Sequence, residues 1–308
     1  MIKACLTPEH EVLTTHGWVP IKNVTKYHLV AVLEDGKTLN YVHPLEIMHL
    51  NYNGEIYNVK SDKVELSVTL DHQMYVKLEG KEEFELIEAK DILNKKFSYK
   101  KDAQYNNIEE YGIGYRRYRI KQIEKILNSG ISGISGISEP SEPSDNEKCL
   151  PEWIWKIPQF DAQVYAKYIL ARYGQGTMYR DEYYFKFKTN SKRLIDDIQR
   201  LCLHAGYISH VKDIEDDGED VGEDEGVEED DKTSSVNYDV NKKYKYLITL
   251  IDYTDFDPKY TSFTDFHYSN EEEITLVDYR GPVYCIEVPS HVFMVRKNFK
   301  LVWTGNCS

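Results

Sequence analysis

The stretch Glu11-Val12-Leu13-Thr14-Thr15-His16-Gly17-Trp18-Val19-Pro20-Ile21 decides the fold class. Apolar and polar residues alternate on both sides of His16-Gly17, which is the pattern of two short strands joined by a tight turn. A second hairpin is predicted around Asp35-Gly36, because this dipeptide suits the turns of β-hairpins. Three further short strands follow Tyr52-Asn53-Gly54: Ile56–Val59, Leu66–Thr69 and Met74–Val76. Residues 5–97 therefore predict an all-β fold.

The net charge of the chain is concentrated in one segment. The 308 residues carry a formal charge of −14, and Asp213–Asp231 contains 13 Asp or Glu residues with no Lys or Arg. The rest of the chain is therefore nearly neutral. Because like charges at this density repel one another, we expect residues 213–235 to be disordered.

Cysteine content and hydropathy exclude several classes of protein. The five Cys are an odd number without a C-x-x-C pair, so neither a disulfide framework nor a zinc site is predicted, and no cofactor is indicated. No apolar run approaches the ~20 residues of a membrane span, and Met1-Ile2-Lys3 leads directly into polar sequence. We expect a soluble, monomeric protein.

The composition changes near residue 103, where an inserted α+β domain is predicted. Residues 129–148 begin with a Gly-Ile-Ser repeat and continue with Pro and Ser, which predicts a flexible linker. Ser191–Gly206 predicts an amphipathic helix with Leu194, Ile198, Leu201, Cys202 and Ala205 on its apolar face. The remaining predicted elements are helices at Arg119–Leu127 and Asp161–Gly174 and strands at Tyr183–Lys188 and Tyr244–Leu250.

Two residues at opposite ends of the chain carry complementary chemistry. The side-chain amide of Asn306 can attack its own carbonyl, close a five-membered imide and release the residue that follows. That residue is Cys307, whose thiol can carry an acyl group, as can the thiol of Cys5. Both thiols must be reduced to react, which favours an intracellular, reducing compartment.

These ends, with Val68–His72 and Val283–Val295, resemble the four splicing blocks of an intein in order and spacing. The resemblance covers roughly residues 5–97 and 275–307. It implies a horseshoe-like, mostly β Hint domain formed by residues 5–102 and 271–306, with residues 103–270 as the insert. Residues 1–4 and 307–308 would be stubs of the flanking host protein, on which the chain acts in cis.

The resemblance also implies roles for individual residues. Thr69 and His72 would activate the bond before Cys5, and His291 would assist Asn306. Cys285 would couple the upstream and downstream steps. Most inteins have His before the terminal Asn, whereas this chain has Gly305. His291 would then carry more of the proton transfer.

The insert resembles a LAGLIDADG homing endonuclease around Tyr168–Gly176. In that family an acidic residue at the end of the motif helix holds the catalytic metal, and Gln175 stands at that place here. Leu250–Asp255 is only a faint second copy. The resemblance therefore implies a decayed nuclease without a metal. Residual DNA binding would rest on five basic residues: Lys186, Lys188, Lys192, Arg193 and Arg200.

Two other interpretations remain open at the level of the sequence. One is a working homing endonuclease, against which Gln175 counts. The other is a Hedgehog-type autoprocessing domain, which has the same β fold and upstream chemistry. The pair Asn306-Cys307 counts against it, because that family passes its thioester to an external nucleophile.

Overall fold

The computed structural model describes residues 5–61, 63–105, 113–128, 148–179, 182–214, 244–252, 264–267 and 274–306. The chain divides into two compact units, residues 1–106 with 257–308 and residues 107–256. Both predicted flanking stubs lie outside the described residues, as does most of the two predicted flexible segments. Three residues of those segments are described, and all three are ordered; one of them, Ile214, donates its N–H to the Lys245 carbonyl at 2.7 Å. Lys148 donates a hydrogen bond from Nζ to the Leu127 carbonyl, and Asp213 ends a strand.

The first unit is built from strands in three sheets. Its strands up to residue 60 are β1 (Glu11–Thr14), β2 (Gly17–Pro20), β3 (Val30–Glu34), β4 (Thr38–Val42) and β5 (Glu46–Lys60). The next are β6 (Glu65–Thr69), β7 (Gln73–Leu78), β8 (Glu85–Glu88), β9 (Phe97–Lys100) and β10 (Gln104–Tyr105). The last are β15 (Thr264–His267), β16 (Ile274–Glu287), β17 (Val292–Lys297) and β18 (Lys300–Gly305).

Both ends of the chain contribute to the largest sheet of this unit. Its order is β10-β4-β3-β1-β17-β18, with β2 paired to β1, so β1 lies directly against β17. The side chain of Arg296 on β17 is fully buried, where it donates to Glu11 Oε2 at 2.8 Å and lies over the Trp18 ring. A buried charge of this kind is tolerated because it is paired. The other two sheets have the orders β15-β9-β7-β8 and β16-β5-β6.

The two predicted hairpins are confirmed. Strand β1 pairs with β2 through Thr14 and Gly17, and strand β3 pairs with β4 across Asp35-Gly36. Both turn residues of the second hairpin have positive φ, 49° for Asp35 and 65° for Gly36. This left-handed geometry matches the twist of the flanking strands, which is why Asp35-Gly36 indicates a hairpin.

The longest pairing joins β5 to β16 over 14 residue pairs. The sequence predicts only Ile56–Val59 of β5, because Tyr52-Asn53-Gly54 has the composition of a turn. In the structure Gly54 lies opposite Tyr279, and Gly281 lies opposite Tyr52. A Cβ at either glycine would meet the hydroxyl of a tyrosine two residues earlier, at 2.9 Å and 2.8 Å. Each glycine therefore makes room for a tyrosine ring within a continuous strand.

The second unit contains three helices among the described residues, α1 (Ile113–Asn128), α2 (Gln159–Tyr173) and α3 (Lys192–His204). Its antiparallel sheet has the order β11-β12-β14-β13, formed by Gln175–Tyr179, Glu182–Thr189, Tyr246–Asp252 and Ser209–Asp213. The prediction for α3 is confirmed: Ser191 Oγ accepts from the Leu194 N–H, and all five predicted apolar-face residues are buried. Leu250–Asp252 ends strand β14, so this part of the faint second motif is not helical; residues 253–255 lie outside the described part of the chain.

The second unit covers residues 107–256, whereas the sequence-based insert covers residues 103–270. Strand β10 pairs in parallel with β4, and strand β15 pairs with β9, so both belong to sheets of the first unit. The sequence analysis assigned both to the insert (residues 103–270). Two- and four-residue strands carry too little periodicity to be recognised in sequence.

Candidate active site

Cys5 is held at the junction of two sheet elements. Leu6 bridges both Val68 on β6 and Tyr284 on β16, which places Cys5 between these strands. The Cys5 N–H donates to Thr69 Oγ1 at 2.9 Å, and the Thr69 N–H donates to the Cys5 carbonyl at 3.0 Å. Cys5 is fully buried. Thr69 therefore fixes both backbone groups of the predicted upstream nucleophile.

His72 ends the turn that follows Thr69. Its N–H donates to the Thr69 carbonyl at 3.0 Å, and its ring is completely buried. The Nε2 atom lies 2.7 Å from Thr304 Oγ1, whereas Nδ1 has no hydrogen-bond partner among the described residues. Burial, with a smaller contribution from the nearby charge of His10, lowers the pKa of His72 to about 3. The resting ring is therefore neutral at pH 7.

Cys285 lies on β16 beside the upstream nucleophile. Cys5, Val283 and Cys285 form one buried cluster. Cys285 is disulfide-bonded, and its partner is not among the described residues. The sequence predicts no disulfide framework, because the five Cys are an odd number without a C-x-x-C pair, and the bonded Cys285 departs from that prediction. As long as the disulfide is intact, Cys285 has no thiol with which to couple the two steps.

His291 and Asn306 are in direct contact. His291 Nδ1 lies 3.3 Å from Asn306 Oδ1, and the Asn306 N–H donates to the His291 carbonyl at 2.9 Å. Asn306 Nδ2 donates to the Val288 carbonyl at 2.9 Å, so the whole side-chain amide is fixed. His291 has a φ of 61°. This left-handed conformation is strained for a non-glycine residue, and such backbone strain is found most often at functional sites.

His291 differs from His72 in its access to solvent. It is exposed and lines a groove of about 630 Å³, together with Glu34, Asp35 and Leu86. Asn306 beside it is buried. His291 can therefore exchange protons with water while its ring contacts the Asn306 amide.

Gly305 is required by its surroundings. A Cβ at this position would lie 2.4 Å from the Gln73 carbonyl oxygen, 2.7 Å from Gln73 Cβ and 2.6 Å from Leu86 Cδ2. Side-chain atoms do not approach one another so closely, and the first obstacle is backbone. The space that a histidine would need is thus filled by β7 and β8.

His10 is a buried histidine that the sequence analysis did not single out. Its Nδ1 donates to the Thr7 carbonyl at 3.0 Å, and its Nε2 accepts from the Ser67 N–H at 3.4 Å. Burial lowers its pKa to about 4. The available signal was the spacing of Thr7 and His10, which is the same as that of Thr69 and His72. Because both nitrogens of His10 are bonded to backbone, it fastens β1 to β6.

The structure brings most of the predicted site residues together by direct contacts. Thr69 contacts Cys5, His72 contacts Thr304, and His291 contacts Asn306, the residue that follows Gly305. Cys307 lies outside the described residues. Within the described ranges, no group of three or more His, Cys, Asp or Glu could hold a metal, and no helix is long and apolar enough to cross a membrane.

The basic residues of the second unit are not equivalent. Lys192 and Arg193 are exposed, and Lys186 and Lys188 are half-buried on β12. Arg200 is buried with its guanidinium 4.1 Å from the centre of the Trp155 ring, which removes it from any surface that could contact DNA. The prediction that Arg200 could contribute to DNA binding was therefore wrong. The sequence did not reveal that this cation packs against the aromatic ring of Trp155. Gln175 is the first residue of β11, separated from the end of α2 by Gly174 alone.

Comparisons with known proteins give two curated relatives, and no family model matches the chain. The chain is 25% identical to a DNA-directed RNA polymerase subunit beta C-terminal section from Stigeoclonium helveticum, over 98% of this chain and 36% of that protein. It is 40% identical to an ATP-dependent Clp protease proteolytic subunit from Chlamydomonas moewusii, over 34% of this chain and 11% of that protein. The chain thus spans about a third of the first relative's length and about a tenth of the second's.

Among solved structures, the chain is similar to a splice-inactive, glutathione-linked variant of the AceL NrdHF class 3 split intein. The match covers 98% of this chain and 97% of that one, with 11% sequence identity and a TM-score of 0.37. At that TM-score the likeness by itself establishes neither a shared fold nor a shared activity.

Proposed function

We propose that residues 5–306 excise themselves from a host protein by autocatalytic splicing and join the flanking segments. The observation that carries this proposal is the series of contacts between Cys5 and Thr69, His72 and Thr304, and His291 and Asn306. His72 and Thr304 are in direct contact although they lie 232 positions apart in the sequence.

The first step is an acyl shift at Cys5. The Cys5 sulfur attacks the Ala4 carbonyl carbon, a C–S bond forms, the C–N bond to Cys5 breaks, and the thiol proton is passed on to the freed amine. The proposal gives Thr69 the role of holding the Cys5 amide through its 2.9 Å hydrogen bond. His72 supplies the proton to the departing nitrogen, a role that a buried ring with one uncommitted nitrogen suits.

The second and third steps move the acyl group and release the chain. The Cys307 thiol attacks the thioester, takes the acyl group and returns a thiol to Cys5. Asn306 Nδ2 then attacks the Asn306 carbonyl carbon, the bond to Cys307 breaks, and the freed Cys307 amine takes over the acyl group from its own sulfur. In this proposal His291 acts on Asn306 and protonates the leaving amine, as its contact with the Asn306 side chain and its open groove allow.

The same proposal places the reaction in a reducing compartment, wherever the host protein resides. Cys5 and Cys307 must be thiols, and Cys285 can couple the steps only after its disulfide is reduced. No cofactor or metal takes part.

For the second unit we propose a decayed homing endonuclease. Gln175 follows the end of α2, where the resemblance requires a carboxylate, and a neutral amide does not replace that charge at a divalent cation. Residual DNA contact would be limited to the exposed Lys192 and Arg193 with their half-buried neighbours on β12.

The test is the fate of the chain between two foreign flanking proteins. Intact mass measurement after expression and reduction is expected to show the ligated flanks and a separate fragment of residues 5–306. A Cys5→Ala, Asn306→Ala double variant is the control and should remain a single precursor. If the wild-type chain also stays unprocessed under reducing conditions, the proposal is wrong. Release of the upstream flank without ligation would favour the Hedgehog-type alternative.

A further inference from the structure

We propose that Thr304 is a positioning residue whose hydroxyl fixes the tautomer of His72. Because Thr304 lies on β18, the step at Cys5 then depends on the correct position of β18, the strand that leads directly to Asn306. This inference rests on the proposed splicing function for its consequence, although the hydrogen bond itself can be measured without any splicing.

The contact that carries the proposal is short and fully buried. His72 Nε2 and Thr304 Oγ1 are 2.7 Å apart, the His72 ring is inaccessible to solvent, and Thr304 is 1% exposed. Water therefore does not compete with the hydroxyl for this nitrogen. A hydrogen bond in such surroundings is stronger than on a surface, and its loss leaves a buried polar atom unsatisfied.

Counting donors and acceptors selects the direction of the bond. If the hydroxyl donates to Nε2, the neutral ring carries its proton on Nδ1, and only Nδ1–H lacks a partner among the described residues. If Nε2–H donates instead, both the hydroxyl proton and the Nδ1 lone pair lack partners there. The first arrangement leaves fewer buried groups unsatisfied. It also places the proton of His72 on Nδ1, the nitrogen that has no partner among the described residues and can therefore donate.

Thr304 transmits the position of β18 to His72. It lies opposite Phe293 in the pairing of β17 with β18, so its hydroxyl is placed by the sheet. The next residue, Gly305, packs against Gln73, which directly follows His72. Two adjacent residues of β18 thus contact His72 and the first residue of β7, and a displaced β18 would lose both contacts.

The consequence is an ordering of events at the two junctions. Without the hydroxyl, the neutral ring of His72 is free to adopt either tautomer, and the form with its proton on Nε2 cannot donate from Nδ1. The step at Cys5 would then proceed efficiently only when Thr304, and with it Asn306, is in place. Cleavage upstream without a downstream partner would be suppressed.

The kinetic test measures thiol-induced release of the upstream flank in an Asn306→Ala precursor. Thr304→Val, which keeps the shape and removes the hydroxyl, should slow release at least tenfold, and Thr304→Ser should stay within about threefold of the parent. Thr14→Val is the matched control, because Thr14 is also fully buried in this unit and its hydroxyl bonds to backbone rather than to a histidine ring: it donates to the Gly17 carbonyl at 2.9 Å and accepts from the His16 N–H at 3.1 Å. It should destabilise similarly without slowing release. Equal rates for Thr304→Val and the parent would overturn the proposal.

The spectroscopic test separates this inference from the splicing proposal. In the full chain with Cys5→Ala and Asn306→Ala, ¹⁵N NMR of the His72 ring should show the proton on Nδ1. With Thr304→Val added, the signal should shift toward a mixture of tautomers, and Thr304→Ser should restore it. A proton on Nε2, or no change with Thr304→Val, would refute the role of Thr304. Correct tautomers in a wild-type chain that never splices would instead refute the proposed function alone.

Discussion

Replacing Gly305 by Ala tests whether this glycine is imposed by packing. The added Cβ would lie 2.4 Å from the Gln73 carbonyl oxygen and 2.6 Å from Leu86 Cδ2. Leu86 is 38% exposed and can move, but the Gln73 oxygen is backbone within a sheet. Overpacking of this kind costs about 1–3 kcal/mol. Because the main obstacle cannot yield, we expect about 2–3 kcal/mol for Gly305→Ala, and more for Gly305→His.

The measurement is urea unfolding of the Cys5→Ala, Asn306→Ala chain with and without the substitution. Gly54→Ala is the matched control, since its Cβ would meet only the far end of the Tyr52 side chain at 2.9 Å. We expect it to cost less than half as much. Trimming Leu86 to Ala should restore little of the stability lost in Gly305→Ala, because the clash with Gln73 remains.

The same substitution has a consequence for the reaction. If Gly305 only deprived the reaction of a catalytic side chain, a histidine at this position would be expected to speed the cyclisation of Asn306. General acid–base catalysis accelerates a reaction about 10²–10⁴-fold. Here Gly305→His should slow cleavage after Asn306, because the side chain displaces the end of β18. Faster cleavage by a Gly305→His chain of unchanged stability would refute the packing argument.

Four further outcomes are expected. His291→Ala should block cleavage after Asn306 and accumulate the branched intermediate, whereas His72→Ala should suppress thiol-induced release of the upstream flank. Mass spectrometry of the two precursors distinguishes these outcomes. Normal Asn306 cyclisation in the His291→Ala chain would contradict the assignment. The pKa values of His10, about 4, and His72, about 3, lie below the unfolded value of 6.5, so their contribution to stability is complete above pH 6.5 and is lost as the pH falls. Urea unfolding should show a loss of about 2–3 kcal/mol per histidine by pH 4.5, and His10→Asn should flatten this dependence. Deletion of residues 130–146 should change the splicing yield by less than about twofold, roughly 0.4 kcal/mol, and a complete loss would show that the segment is structural. Purified protein with Mg²⁺ should not cut DNA that carries the uninterrupted insertion site, and specific cleavage there would mean that Gln175 does not abolish the nuclease.

Features set by neighbouring residues could be predicted from the sequence. The Asp35-Gly36 hairpin and helix α3 with its Ser191 cap depend on contacts within a few positions, and both are confirmed. The strands β10 and β15 were missed because they are short, and most of β5 was missed because Gly54 suggested a turn. Their positions are decided by partners far away in the chain, which local periodicity does not encode.

The candidate site likewise combines residues that the sequence could identify with contacts that it could not. Cys5, Thr69, His72, His291 and Asn306 were selected as candidates because the stretches that contain them resemble the splicing blocks of an intein. The sequence could not show that Thr304 bonds to a ring 232 residues earlier, or that Gln73 and Leu86 exclude a side chain at Gly305. Such contacts become visible only when the two sheets that contain β7 and β18 pack against each other.

The pairing of β5 with β16 also bears on when the chain can react during its own synthesis. The partner of β5 leaves the ribosome roughly 200 residues after it, which at 5–20 residues per second is a wait of about 10–40 s. During that time Leu6 lacks the Tyr284 backbone to which its N–H donates, so Cys5 can be held from the side of Thr69 but not yet from the side of β16. In the proposed splicing reaction, the upstream nucleophile would therefore be synthesised early but completed as a site only after β16 has emerged. Translation itself would then protect the nascent upstream segment from premature cleavage.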